Sequence, residues 1–423
     1  MWFLNTQIFE QHESEVRSYC RHFPTVFQKA KGSKIYDELG NEYIDFFCGA
    51  GALNYGHNND YIKPKLIEYI ENDGVMHALD MYTSPKREFI SFLQDSILKP
   101  RGLDYKIMFT GPTGTNAVEA GLKLARKVTG RSNVFALMGC FHGMTLGALA
   151  LTTDQGARKG AGVKLTDVTH IPAPYMYPGF DTIEYMQSLL DDDHSAIEKP
   201  AAVVIETVQA EGGIHVFEVE YLKRLRKFCD DNDILLMIDD IQVGCARTGT
   251  FFSFERADIK PDILLLSKSI GGYGLPLAIA LFRPELDKWS PGEHNGTFRG
   301  NQLAFVAAKA GLEFMLNEKI EEKAQNSGKI IKEYLEKEIL PLDSRIKLRG
   351  IGMIWGLEFE DIKVDNLSDK VTVKAFEKGL IVECAGRKNS VVKIMPALTI
   401  DKDLLLEGLE KLKSAVADCL SEI

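Results

Sequence analysis

The sequence predicts an α/β protein with a mainly parallel central sheet flanked by helices, and three observations carry that expectation. Residues 233–242 (DILLMIDDIQ) and 261–268 (PDILLLSK) are short apolar runs bounded by polar residues, and each delivers one charged residue at its end. Such runs suit strands buried on both faces, as parallel strands under helices are. Residues 106–110 (KIMFT) form another short run that passes through the turn GPTGTN at 111–116 into a helical pattern. Finally, a chain of 423 residues exceeds one simple core, so two domains of unequal size are expected.

The two charged residues give the sheet a candidate chemistry. Ligands of open parallel sheets bind outside the carboxyl ends of the strands, which would place Asp239 and Lys268 together in that crevice. Burial lowers the pKa of a lysine and frees its amine to form a Schiff base with a carbonyl. The turn SIGGYG at 269–274 lets backbone pass close to a bound group. A buried carboxylate opposite such a lysine suits pyridoxal phosphate, whose ring nitrogen must stay protonated to act as an electron sink. Taken alone, the same residues also fit an aspartate that caps the next turn and an ordinary surface lysine.

The remaining elements follow in order. Residues 34–47 (KIYDELGNEYIDFF) alternate about a turn and predict a hairpin. In residues 48–57 (CGAGALNYGH), Gly49 and Gly51 begin a dinucleotide-like pattern, but Asn54 stands at the third glycine and no amphipathic helix follows at once. The turn at 111–116 feeds a helix whose free NH groups and positive dipole end form a phosphate site, with Asn116 and Glu119 at capping-box spacing.

Residues 133–138 (NVFALM) are a strand ending in GCFHG at 139–143, where Phe141 is placed to lie flat on a ring. His142 beside it, read as a lone histidine, is structural. Residues 152–198 are loop-rich. Residues 200–206 (PAAVVIE) are a buried strand ending in Glu206, residues 217–232 a helix with a solvated basic face, residues 275–282 a strand, and residues 303–337 helical. Residues 349–359 (RGIGMIWGLEF) are a glycine-punctuated strand of a small carboxyl-terminal domain, and residues 391–400 (VVKIMPALTI) a late strand.

Bulk properties exclude several classes. The composition, 45% hydrophobic and 26% charged, is that of a globular protein, neither disordered nor fibrous. A net charge of -10 argues against nucleic acid or an anionic membrane surface as the main partner. The seven cysteines form no CxxC pair and are odd in number, which suits reduced thiols in the cytoplasm. No secretory signal pattern is present, and no apolar run approaches the roughly 18 to 20 residues needed to span a bilayer.

Residues 238–249 (IDDIQVGCARTG) and the KSIGG that begins at Lys268 resemble the signature of class III pyridoxal-phosphate aminotransferases, with Asp240 at the usual glutamate position. The resemblance runs in matching order from about residue 35 to 400. It implies fold type I: a large pyridoxal-phosphate-binding domain at 51–310, an amino-terminal arm and part of the small domain at 1–50, and a smaller α+β domain from both termini completed by 311–423. It implies that Lys268 and Asp239 are catalytic, and that Gly114, Thr115, Phe141, His142, Glu206 and Gln242 join them in holding the cofactor. Thr297, in GTFRGN at 296–301, would reach the phosphate across a dimer interface, so a complete site needs two subunits of a homodimer or higher homo-oligomer.

For the small-molecule substrates, the resemblance implies Glu211 near a carboxylate, and Ala50 to Asn54 lining the cleft. Lys393 stands where the family carries an arginine for the substrate carboxylate; a lysine offers a point charge in place of a planar fork, and Arg387 upstream is a substitute. Residues 9–27 (FEQHESEVRSYCRHFPTVF) resemble the amino-terminal signature of one subgroup, the 2,4-diaminobutyrate:2-oxoglutarate transaminases of ectoine synthesis, which implies L-glutamate and L-aspartate 4-semialdehyde as substrates. Other class III transaminases acting on ornithine, acetylornithine or 4-aminobutyrate share the same machinery, and an aminomutase or a non-catalytic protein of this fold stands further off.

Overall fold

A computed structural model describes residues 6–423. Its centre is a seven-stranded sheet of β1 (Lys106–Phe109), β2 (Val134–Leu137), β3 (Val168–Ile171), β4 (Ala202–Ile205), β5 (Leu235–Asp239), β6 (Ile263–Leu266) and β7 (Ile279–Phe282). They lie in the order β1-β7-β6-β5-β4-β2-β3. The five strands from β6 to β3 run parallel, and their central members β2, β4, β5 and β6 are buried along their whole length. Helices cover both faces, which is why these strands read as continuous apolar runs.

The antiparallel exception is β7, which pairs with β6 on one side and β1 on the other. No crossover helix separates it from β6, so the chain after Lys268 turns straight back through glycines. The predicted helix is α1 (Gly114–Thr129), whose buried stripe includes Ala117, Val118, Leu122, Leu124 and Ala125. A Cβ added at Gly121 would lie 3.0 Å from Met237 Sδ and 3.1 Å from a methyl of Leu265, so only glycine lets α1 sit this close to β5 and β6. That approach aims the helix amino terminus at the carboxyl edge of the sheet.

Two smaller sheets flank this layer. The predicted hairpin forms from Lys34–Asp37 and Glu42–Asp45, and Leu380–Ile381 from the far end of the chain joins it in parallel. The second sheet holds Lys347–Ile351, Ile354–Glu358, Val391–Ile394 and Glu383–Ala385, each antiparallel to its neighbour.

The structure revises several expected elements. Residues 349–359 are not one strand but the body of a hairpin that turns at Gly352, φ 54°, where a Cβ would lie 2.5 Å from the Arg247 carbonyl oxygen. The helical stretch at 303–337 breaks at Lys319, φ 49°, into Gln302–Asn317 and Ile320–Tyr334. The basic face of helix Val219–Asp231 is only partly solvated, because Arg226 turns inward to the buried Asp262 at 2.9 Å. The capping box is made by Thr113 and Asn116. Glu119 instead accepts from Thr145 Oγ1 at 2.6 Å and from the Gly147 and Ala148 NH groups, tying α1 to the loop after β2. Among the described residues, no helix is long and apolar enough to cross a membrane, and all seven cysteines are free.

Candidate active site

Parallel pairing puts the ends of β5 and β6 side by side: Asp239 is in register with Leu265, and Lys268 follows three residues further along the neighbouring strand. Both face a cavity of about 170 Å³ at the carboxyl edge of the sheet. Gly114, Thr115, Phe141, His142, Glu206, Glu211 and Gln242 complete the predicted part of its wall. The sequence motifs therefore converge, although the first, at Gly114, and the last, at Lys268, lie far apart in the chain.

Lys268 stands at the start of a 3-10 turn with φ 53°, a left-handed conformation that costs an ordinary residue about 1–2 kcal/mol. The packed strand end and the glycine turn hold it there. Its Nζ makes no hydrogen bond or ion pair among the described residues. Burial pulls this amine below the ordinary lysine range, with the Glu211 carboxylate acting in the opposite direction. The lowered pKa eases release of the proton that this amine must lose before it acts as nucleophile or base.

Asp239 is buried and doubly held: Oδ2 lies 2.7 Å from His142 Nδ1, and Oδ1 accepts from the Ile241 NH at 3.1 Å. Burial pushes the His142 imidazole down, but Cys140 and Asp239 beside it outweigh burial and keep its pKa well above the ordinary value. His142 is thus more than the structural residue its isolated position suggested. Phe141, 38% exposed, is placed by its neighbour Glu206, whose Oε1 accepts from the Phe141 NH at 3.0 Å. Burial, chiefly, raises the Glu206 carboxyl to about 7. Asp240, at the family's glutamate position, is buried, bonded to the Ser253 NH and likewise pushed up by burial to about 7.

The phosphate expectation has a concrete counterpart at α1. Gly114 and Thr115 open this 16-residue helix and line the cavity, and Thr115 Oγ1 is fixed 2.6 Å from Thr145 Oγ1. A Cβ on Gly114 would come 3.0 Å from Ile241, so the glycine keeps the cradle open. Gln242 donates to the Ala50 carbonyl and to Glu211, leaving its buried Oε1 without a partner. An open helix end, an exposed aromatic ring, an anchored carboxylate and an unpaired amine around one small cavity fit a phosphorylated aromatic aldehyde.

Four predicted residues, Asn54, Thr297, Lys393 and Arg387, lie outside this cavity. Asn54 is buried, donating to the Cys245 carbonyl and accepting from Arg247 Nη2 at 2.6 Å. Its polar groups are consumed in holding the 48–54 loop, and it does not line the cavity. Thr297 is exposed and outside the cavity of the single chain. Lys393 is fully buried between Glu211 at 2.6 Å and Glu383 at 2.7 Å, so it does not stand free for a substrate carboxylate. Burial alone would raise Glu211, but Lys393 and Lys268 overcome it and bring the carboxyl down to about 2.

Arg387, by contrast, is exposed on an adjoining cleft of about 730 Å³, with its guanidinium 5.9 Å from the Tyr175 ring. Glu211 and Phe141 line both spaces. Sequence reasoning missed Gly143, Ile241 and Val243 of the cavity wall, and Glu383. The signal for Glu383 was an acid inside the apolar run 380–385; its partner was invisible.

The aminotransferase class-III family model matches residues 16–416. The chain belongs to the class III aminotransferases. Its relatives include proteins named diaminobutyrate--2-oxoglutarate transaminase from Halalkalibacterium halodurans, 52% identical over 97% of this chain and 96% of the relative, and from Streptomyces coelicolor, 51% identical over 97% of each. The ornithine aminotransferase of Toxoplasma gondii, whose structure has partial occupancy of PLP at its active site, superposes with a TM-score of 0.86 at 25% identity, covering 98% of this chain and 94% of that one. An S-selective transaminase from an Arthrobacter species reaches a TM-score of 0.88 at 22% identity over 99% and 98% of the chains, sharing the fold. This class III aminotransferase therefore has fold type I and uses pyridoxal phosphate.

Proposed function

We propose that this aminotransferase moves the amino group of L-glutamate to L-aspartate 4-semialdehyde, reversibly and in two half-reactions, giving L-2,4-diaminobutyrate and 2-oxoglutarate for ectoine synthesis. The observation that carries this reading is near-full-length identity of about half to relatives bearing the diaminobutyrate--2-oxoglutarate transaminase name. The 9–27 segment supports it, and the cavity supplies the required groups. The reading places the enzyme in the cytoplasm, with 51–310 as the large domain and 1–50 and 311–423 contributing the small one.

When bound, pyridoxal phosphate supplies a carbonyl for the incoming amine and a ring that accepts the electron pair left behind when a proton departs. Gly114 and Thr115 would hold its phosphate, Phe141 would cover one ring face, and Glu206 and Gln242 would flank the hydroxyl side. Thr297 would complete the phosphate site of a second subunit, which makes the working unit a homodimer or larger. Asp239, held by His142 and the Ile241 NH, would keep a proton on the ring nitrogen. Lys268 Nζ takes the proton from the carbon that bears the reacting amine and returns one to complete the transfer. Arg387, free of any carboxylate partner among the described residues, is the substrate-carboxylate anchor.

Glu211 is the discriminating group. It pairs with Lys393 in this structure and reaches both the cavity and the outer cleft. In the diaminobutyrate half-reaction it receives the second amine; in the glutamate half-reaction it leaves room for a carboxylate. Glu211→Ala is therefore expected to slow the diaminobutyrate half-reaction by about tenfold more than the glutamate one, measured separately by single-turnover kinetics, and an equal loss in both would count against the gate.

The direct test is the absorption spectrum of the purified protein while L-glutamate, L-2,4-diaminobutyrate, L-ornithine and 4-aminobutyrate are added one at a time. Conversion of the cofactor band by the first two alone is the expected result. Conversion by ornithine or 4-aminobutyrate without diaminobutyrate would leave the machinery standing and replace the substrates.

A further inference from the structure

Lys393 and its two carboxylates are arranged unequally. Glu383 is the antiparallel cross-strand partner of Lys393, so its position is set by the sheet, and its side chain is 9% exposed. Glu211 comes from the loop between Val208–Gln209 and His215–Val216, and its side chain is 33% exposed on the cavity side. Lys393 itself has no exposed side-chain surface. One ammonium is thus sandwiched between a fixed carboxylate behind and a loop-borne carboxylate in front.

A single lysine facing a single glutamate would be a neutral pair. With all three groups ionised they carry two negative charges against one positive, a formal surplus of one negative charge beside the substrate space; burial raises the Glu383 carboxyl and the Lys393 ammonium opposes that rise. That surplus sits in a desolvated wall, where charge acts over several ångströms with little screening. It favours a substrate with an additional ammonium and disfavours one with an additional carboxylate. L-2,4-diaminobutyrate has two amines and one carboxylate, whereas L-glutamate has one amine and two carboxylates. A lysine is also less able than an arginine to bridge two anions by its own geometry, so the cross-strand position of Glu383 is what keeps the ammonium in place when Glu211 turns toward a substrate.

We propose that Glu383 is a specificity-determining residue: through its cross-strand ion pair with Lys393 it gives the Glu211 anchor a net negative charge that selects substrates presenting a second ammonium group. This rests on the diaminobutyrate reading of the site. Glu383 does not touch the reacting atoms; it acts through Lys393 and Glu211.

The test compares E383Q, which keeps the shape and removes the charge, with E383D, which keeps the charge, in the cofactor-loaded oligomer. Single-turnover conversion of the cofactor band is followed with L-2,4-diaminobutyrate and L-glutamate in turn. In E383Q the ratio of the two second-order rate constants, diaminobutyrate over glutamate, is expected to fall about tenfold, and E383D is expected to restore most of it. The same variants are titrated calorimetrically with 1,3-diaminopropane and with glutarate, so that binding is read without chemistry; E383Q is expected to weaken the diamine and not the dicarboxylate.

An unchanged ratio in E383Q, or an equal loss with both substrates, overturns the assignment while leaving the diaminobutyrate reading intact. If E383Q fails to fold, E383D carries the test: a ratio that departs from the unsubstituted enzyme as far as tenfold despite the retained charge overturns it, and a preserved ratio supports it. A wild-type enzyme inert to diaminobutyrate overturns the functional reading and this inference together.

Discussion

Lys268→Ala is expected to abolish turnover, with kcat falling on the order of 10⁴-fold or more, because no second amine is placed to take over its work. The other cavity lysine neighbour, Lys393, is locked between Glu211 and Glu383 and cannot approach the proton that Lys268 moves. The substitution removes an amine that makes no hydrogen bond among the described residues, so the fold loses no polar partner. It does leave an alanine at φ 53°, a strain the native lysine already bears. Thermal unfolding should therefore change little while activity disappears. Turnover is measured with glutamate as donor and 2-oxoglutarate as the product detected; a variant with full activity would remove Lys268 from the mechanism.

Asp239→Asn has the second largest expected effect, a fall in kcat on the order of 10²-fold with cofactor binding largely kept. The carboxyl group is held by His142 Nδ1 against Oδ2 and by the Ile241 NH, which donates to Oδ1. An amide preserves the shape and one acceptor but removes the negative charge that stabilises a protonated ring nitrogen. The loss should fall on both half-reactions, unlike that of Glu211→Ala. The measurement is kcat beside the cofactor's absorption in the same sample: an unaffected rate with the band intact would take this role away from Asp239.

Much of this site was legible in the sequence. Asp239 and Lys268 end apolar runs that are buried strands, and two parallel strands necessarily finish at the same sheet edge. The turn at 111–116 opens a helix, so Gly114 and Thr115 had to present free NH groups. These inferences rest on local chemistry and on the periodicity of strands and helices, which the chain carries residue by residue.

The sequence was less informative where a side chain's meaning depends on a distant partner. Asn54 was read as a cleft residue because its loop is; tertiary packing sets Arg247 against it and consumes its amide. His142 read alone is a structural histidine, and only the crossing of the β2 loop with the end of β5 brings its Nδ1 to Asp239. Lys393 occupied a family arginine's place, but its ion pairs come from a loop 182 residues away and from a cross-strand neighbour.

By itself, then, the sequence determined the α/β layer, the edge at which chemistry happens, and the lysine and aspartate that meet there. Hydrophobic periodicity and backbone sterics act over a few residues, so they can be read without coordinates. The tertiary structure alone decided which charges face one another. Electrostatic pairing depends on distances of a few ångströms between segments far apart in the chain, and no local pattern encodes them. For this protein that division falls between the reaction, which Lys268 and Asp239 announce, and its choice of substrate, which rests on how Glu211, Lys393, Glu383 and Arg387 are assembled around the cavity.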